Sequence, residues 1–148
     1  MNIDQNKTYI EYTKEKKWYL IDANSENLGR LSSKITSFLL GKNQKIYTPH
    51  IMNNIKIIII NTKLIKVTGN KEKQKIYRKH SGRPGGLKVE TFHSLQQKLP
   101  NRILEISIKG MLPKNKLGKK LFNQVKMYPS NNHPHSVQQP ILIKLNKI

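Results

Sequence analysis

His133 and His135 flank a proline in this 148-residue chain, and two imidazoles at that spacing could share a metal ion. A metal site needs further ligands. The chain has no cysteine, no HExxH motif and no acidic cluster to complete one, so the pair reads as two imidazoles facing solvent or a polyanion. Nucleotide chemistry fares no better. Gly41-Lys42 is followed by Asn43 and Gly118-Lys119 by Lys120, and neither has the earlier glycine that a phosphate-cradling P-loop requires. Gly82 to Gly86 does not give the spacing of a dinucleotide fingerprint. General acid–base work needs placed carboxylates, and Asp22 and Glu26 sit in an ordinary turn. With 8 acids in all, a metal-dependent nuclease lacks its carboxylates. The reading is a non-enzyme with no cofactor and no small-molecule substrate.

Cations dominate instead. Lys and Arg number 28 against 8 Asp and Glu, a formal net charge of +20. Such a chain repels itself. A phosphate backbone relieves that repulsion, and each neutralised phosphate releases a counterion, so binding is expected to be strong and salt-dependent. The densest run lies at residues 70–91. There Lys71, Lys73, Lys75, Arg78, Lys79, Arg83 and Lys88 are interleaved with Gly82, Pro84, Gly85 and Gly86. A charge run is usually a solvated face. The glycines change that reading, because they let backbone approach phosphate closely. Tyr77, Arg78, His80 and Arg83 add groups that stack on bases or reach phosphates. The segment therefore reads as an arm that enters folded RNA. DNA readers use a helix-turn-helix or zinc module, and none is evident. A free RNA regulator reads single strands on aromatic platforms, and 7% aromatic residues supply few.

Further candidate contacts lie outside that arm: Arg30 and Lys34, Lys42, Tyr47 and His50. Lys109 and the Lys114, Lys116, Lys119, Lys120 group complete them.

These residues need a scaffold. Trp18 to Ile21 reads as a first strand, and Asp22 and Asn24 supply turn chemistry. Leu28, Leu31, Ile35, Phe38 and Leu39 recur at helical spacing, with Asn27 as N-cap, Gly41 as stop, and Arg30, Lys34 and Ser37 on the other side. Lys56 to Asn61 is a continuous apolar strand, expected to be covered on both faces. Ile65 to Thr68 reads as a third strand. The basic arm reads as a loose hairpin, with Ile76 and Tyr77 on one side and Lys88 to Glu90 on the other. Helices are expected at Thr91 to Lys98, after Pro100 and from Leu117 to Gln124. In the middle one Ile103, Ile106, Ile108 and Met111 point inward, and Glu105 stands four residues ahead of Lys109. Val125 to Tyr128 is the last strand. Strand, helix, buried strand is the signature of an α/β layered fold with parallel pairing. The organisation is a polar arm at 1–16, one domain at 17–140 and a tail at 141–148, with Pro129 to Ile148 lying against a partner.

No run is long enough to span a bilayer, and no lipid anchor is evident. Met1 to Lys17 is neither a signal nor a transit peptide, which suggests synthesis in the compartment of action. The 24 Lys against 4 Arg, with abundant Ile and Asn, point to an AT-rich gene.

Several motifs carry a resemblance. Trp18-Tyr19-Leu20-Ile21-Asp22-Ala23, Leu28-Gly29-Arg30-Leu31 and Tyr47-Thr48-Pro49-His50 come first. Val67-Thr68-Gly69-Asn70-Lys71, Tyr77-Arg78-Lys79-His80-Ser81-Gly82 and Pro84-Gly85-Gly86-Leu87-Lys88 follow. Lys109-Gly110-Met111-Leu112-Pro113-Lys114-Asn115, Leu117-Gly118 and His133-Pro134-His135 complete the set. In order and spacing, over about residues 17–140, they resemble large-subunit ribosomal protein thirteen of the bacterial and plastid type. The resemblance implies a three-layer α/β/α sandwich around a small parallel sheet. It implies binding to large-subunit rRNA, neighbouring large-subunit proteins as partners, a role early in subunit assembly, and no catalysis. It carries rRNA contacts to Arg30, Lys71, Arg78, His80, Arg83, Lys88, Lys114, His133 and His135. Met52-Asn53-Asn54 departs from the family's acidic, glycine-containing turn, and Pro129-Ser130 replaces its Ala-Gly. Arg83-Pro84, the N-terminal arm, the AT-rich composition and the lack of a transit-peptide pattern favour a plastid ribosome, with the bacterial cytoplasm as the alternative.

Overall fold

A computed structural model describes residues 16–44 and 47–143, so most of the expected N-terminal arm and the last five residues of the expected tail lie outside the described residues. The elements run β1 (Lys17–Asp22), α1 (Leu28–Leu40), β2 (Ile55–Ile60), α2 (Lys71–Gln74), β3 (Ile76–His80) and β4 (Leu87–Thr91). Then come α3 (Phe92–Lys98), α4 (Pro100–Met111), α5 (Lys116–Asn123), β5 (Val125–Met127) and β6 (Ile141–Leu142). Four strands form one sheet in the order β5-β2-β1-β6, and every pairing is parallel. The α/β class and parallel sheet expected from sequence are present.

β2 is the centre of this sheet because its composition leaves it nowhere else to go. Only Lys56 in it retains partial exposure. Ile55, Ile57 and Ile59 face one side, where they meet Leu31, Ile35 and Leu39 of α1, Phe92 and Leu95 of α3, Ile103, Leu104 and Ile108 of α4, and Leu121 of α5. Ile58 and Ile60 alternate to the other side and are equally hidden. On that side the His135 ring lies 5.2 Å from the ring of Trp18, and Lys56 holds its ammonium 4.5 Å over the same indole. The β-branched run thus has both faces covered, by the helices on the first and by the segment after β5 on the second.

α1 shows how the helical face is made. Leu28, Leu31, Ile35 and Leu39 are buried, and so are Ser32 and Thr36 between them. Both hydroxyls are satisfied within the helix, donating to the carbonyls of Leu28 at 2.7 Å and Ser32 at 2.8 Å. Asn27 occupies the N-cap position without a side-chain capping bond. The Asp22 carboxylate fixes the preceding turn, accepting from the Asn24 amide and from the Asn61 side chain, each at 2.9 Å. It is a turn anchor, not an acid–base group.

Some expectations are corrected. Ile65 to Thr68 is not a strand: a 3-10 turn occupies Thr62–Leu64, and only Lys66 makes a bridge, to Asn27. The left-handed Asn61 turns the chain out of the sheet directly after β2. Glu105 pairs with Arg102 at 3.0 Å, one turn back, and not with Lys109. In α4, Leu104 takes the core place assigned to Ile106 and Met111, which are 39% and 45% exposed. Residues Ile141 and Leu142, expected in a tail, pair with Tyr19 and Leu20 of β1.

Candidate nucleic-acid interface

The basic arm is a defined hairpin. β3 and β4 pair antiparallel from Ile76↔Thr91 to His80↔Leu87. The turn between them closes on Ser81 N–H to Gly86 O at 3.2 Å and Gly86 N–H to Arg83 O at 2.9 Å. Gly82 and Gly85 sit at φ 87° and 70°, a region that side chains rarely enter, so the glycines make this tip possible. Because strand residues alternate, the hairpin divides its cations between two faces. Arg78 and His80 share one face with the exposed Ile76, Leu87 and Val89. Lys79 and Lys88 stand opposite each other on the face of Tyr77. Arg83 is exposed at the tip. The His80 ring is held by its Nδ1, which accepts the Gly82 N–H at 2.9 Å and leaves Nε2 outward as the other polar atom.

Tyr77 roots this hairpin in the core. Its ring carries the Lys75 ammonium at 5.4 Å, and its hydroxyl is buried with no hydrogen-bond partner among the described residues. Burial raises its pKa above the usual tyrosine value. The neutral phenol is therefore favoured in the folded chain. Between the unfolded value near pH ~10 and the higher folded value, the unfolded chain has lost a proton that the folded chain keeps. Stability from this group is fully present below that window and is lost as pH rises through it. Tyr77→Phe is expected to be neutral or stabilising by up to about 1 kcal/mol at neutral pH. It should also make the alkaline loss of stability shallower. Urea unfolding on both sides of pH ~10 checks this; an unchanged alkaline slope would show that Tyr77 does not cause it.

Two further groups of cations gather on opposite sides of α4. On one side, a cleft of about 330 Å³ is lined by Gly29 and Arg30 of α1, Lys71 and Lys75 around α2, and Ser107 and Met111 of α4. The start of α1 opens here. The Leu28 amide bonds to Lys66 O and the Leu31 amide to Asn27 O, while those of Gly29 and Arg30 have no acceptor within the helix. The helix end adds partial positive charge to three cations, and no acid lines the cleft. Two acids outside it are engaged elsewhere, Glu105 with Arg102 at 3.0 Å and Glu72 facing His93 at 3.8 Å. On the other side Lys109, Lys114 and Lys119 rim a second groove. Met111 and Ile106, misassigned to the core, line the first and second of these respectively.

The remaining candidates are scattered. Lys42, Tyr47 and His50 are exposed beyond α1 and before β2. Lys73, Lys116 and Lys120 are also exposed, and Lys34 is half-buried on α1. His135 is occupied within the chain, with Nε2 2.9 Å from the Tyr128 hydroxyl and its ring against Trp18. His133 Nδ1 accepts the His135 amide at 3.2 Å. His135 therefore ties residues 128–135 to Trp18 of the sheet. Among the described residues no three His, Asp or Glu side chains gather to hold a metal ion. No helix among the described residues is long and apolar enough to cross a membrane.

The substituted turn at Met52-Asn53-Asn54 has its own packing. The Asn53 carbonyl accepts from the Gln124 side chain at 2.8 Å, and the Asn53 side chain fills the space beside Gly41.

A matched pair of glycines tests the wall of the second groove. A Cβ on Gly118 would strike the Pro113 carbonyl, whereas one on Gly110 meets nothing within 4 Å. Gly118→Ala is expected to destabilise by about 1–3 kcal/mol through forced backbone movement. Gly110→Ala, in an open helical position, should stabilise by about 0.5–1 kcal/mol. Urea midpoints decide; equal shifts for the two would mean α5 does not press on Pro113.

A parallel α/β core that displays cations in acid-free clefts and on a glycine-tipped hairpin defines a class of basic scaffold protein. The sequence signature of ribosomal protein L13 matches residues 16–134. The chain belongs to that family, one of structural ribosomal proteins and not of enzymes. It is 58% identical over 139 residues to the large ribosomal subunit protein uL13c of Gracilaria tenuistipitata var. liui, covering 93% of this chain and 97% of the relative. It is 53% identical over 134 residues to the large ribosomal subunit protein uL13 of Crocosphaera subtropica, covering 90% and 89%. The uL13 of Trichormus variabilis is 50% identical over 145 residues, covering 97% and 96%.

Proposed function

We propose that this chain is a structural constituent of the large ribosomal subunit that binds large-subunit rRNA and supports early assembly of the subunit, and through it translation. The observation that carries this reading is the acid-free cleft at the start of α1, where Arg30, Lys71 and Lys75 converge with a positive helix end. That arrangement suits phosphate oxygens. The hairpin extends the same chemistry away from the core, with Arg78, His80 and Arg83 placed to reach phosphates and bases. Neighbouring large-subunit proteins are the other partners. The red algal relative and the Lys-over-Arg composition support a plastid ribosome; the cyanobacterial relatives support the bacterial cytoplasm as the alternative.

The test is co-sedimentation of the chain with large subunits in moderate salt. Recovery in the soluble fraction alone would end the reading. Within it, Arg78→Ala with Arg83→Ala is expected to weaken rRNA binding and lower the salt slope by about one unit per lost phosphate contact. An unchanged affinity and slope, measured by filter binding, would mean that the hairpin does not touch RNA.

A further inference from the structure

The second groove beside α4 differs in kind from the first. It encloses about 730 Å³, within the ~300–1,000 Å³ span of small-ligand sites. Ile106, Pro113 and Phe122 give it an apolar lining, and Lys109, Lys114 and Lys119 stand around it. Phosphate needs no apolar floor, and an apolar floor gains nothing from three ammonium groups. A nucleotide needs both.

The groove is also built in advance. The Asn115 side chain accepts the Gly118 amide at 2.8 Å and starts α5. Gly118 lets α5 lie directly on the Pro113 carbonyl. The wall carrying Pro113 and Lys114 is thereby locked to the wall carrying Lys119 and Phe122. No acid lines it. A second copy of this chain, itself carrying +20, is repelled from such a rim. A peptide anchor would need to bring its own acids, whereas a nucleotide carries its phosphate with it.

We infer that this groove is a nucleobase slot. It takes one unpaired base of the bound rRNA against Phe122 and Ile106, with the flanking phosphates on Lys109, Lys114 and Lys119. The inference rests on the rRNA-binding reading and sharpens it. A base held in a paired helix does not present its face, so the slot selects a bulge, loop or strand end.

Ultraviolet crosslinking of the full chain to large-subunit rRNA, followed by tryptic mapping, reads the slot directly. The expected adduct lies on the peptide from Leu121 to Lys126, which carries Phe122. Gly110→Leu fills the groove from an open helical position, where an added Cβ meets nothing within 4 Å. It should weaken rRNA binding by about 5- to 150-fold, the worth of one stacked base, and abolish that adduct. Ile106→Asn, on a partly exposed position of α4, serves as the second variant should Gly110→Leu fail to fold. Wild-type affinity for the folded variant overturns the slot and leaves rRNA binding standing. So does the absence of the adduct while adducts form elsewhere on the chain. A crosslink from this peptide to a neighbouring protein in whole subunits overturns it in favour of a protein anchor. No binding to rRNA at all overturns both readings.

Discussion

Replacing Arg30, Lys71 and Lys75 together by alanine is expected to weaken binding to large-subunit rRNA by about 100-fold or more. The slope of log affinity against log salt should fall by about 2–3 units. The three side chains line one cleft, and no acid there neutralises them. A charge-assisted hydrogen bond to phosphate is worth about 1.5–3 kcal/mol, so losing three exceeds any single substitution on the hairpin. Arg30 and Lys71 are exposed and outside the core cluster, as is Lys75, so the variant keeps its fold. Filter binding across a salt series gives both numbers. An unchanged slope would show that the cleft faces solvent in the complex. A weaker complex with a reduced slope, but an intact adduct on the Phe122 peptide, would show that the two clefts bind independently.

The largest effect on stability is expected from Ile59→Ala. Ile59 is fully buried in β2, pairs with Ile21 on one side and Met127 on the other, and belongs to the cluster joining α1, α3, α4 and α5. Removing its branched side chain should cost about 2–5 kcal/mol from lost transfer energy and an unfilled cavity. A domain this size has about 5–15 kcal/mol in total, so the variant approaches unfolding at ordinary temperature. Ile59→Val, which deletes one methyl group, should cost about 0.5–1.5 kcal/mol. Urea unfolding of the two variants gives the ratio. A loss below ~1 kcal/mol for alanine would deny β2 its central place.

Both results concern features unequally visible in the amino-acid sequence. β2 was legible because five isoleucines in six residues have only one stable setting, a strand hidden on both faces. α1 was legible because its apolar spacing agrees with its stop signal at Gly41. The cationic hairpin was legible as an arm, but its regularity was not. β3, Ile76 to His80, shows no alternation, and β4 shows only the short Leu87-Lys88-Val89-Glu90 alternation on a face that stays exposed. The single turn of α2 was missed for a related reason: Lys71 to Gln74 buries nothing and has no periodicity to read.

The clefts were hidden more deeply. Ile106 and Met111 fit the helical stripe of α4, and residue type alone assigns them to the core. Only the positions of α1 and α5 show that they line open clefts on either side. Convergence of Arg30 with Lys71 and Lys75 depends on a chain crossing that spacing does not encode. The packing of His135 was equally hidden: its type marks it as a polar contact, and only the fold brings it against Trp18 and Tyr128.

The edge of the sheet has a consequence for how the protein is made. β6 pairs with β1 through Tyr19↔Ile141 and Leu20↔Leu142, so the first strand waits for residues from the far side of the chain. During translation the other pairings can form earlier, since β2 and β5 emerge first. A nascent chain stopped short of Ile141 carries β1 with one row of backbone amides and carbonyls unclaimed. Such an open edge invites strands from other chains, and the invitation lasts longest when elongation is slow. For this protein, then, premature termination near the C-terminal strand is a hazard for aggregation as well as for function.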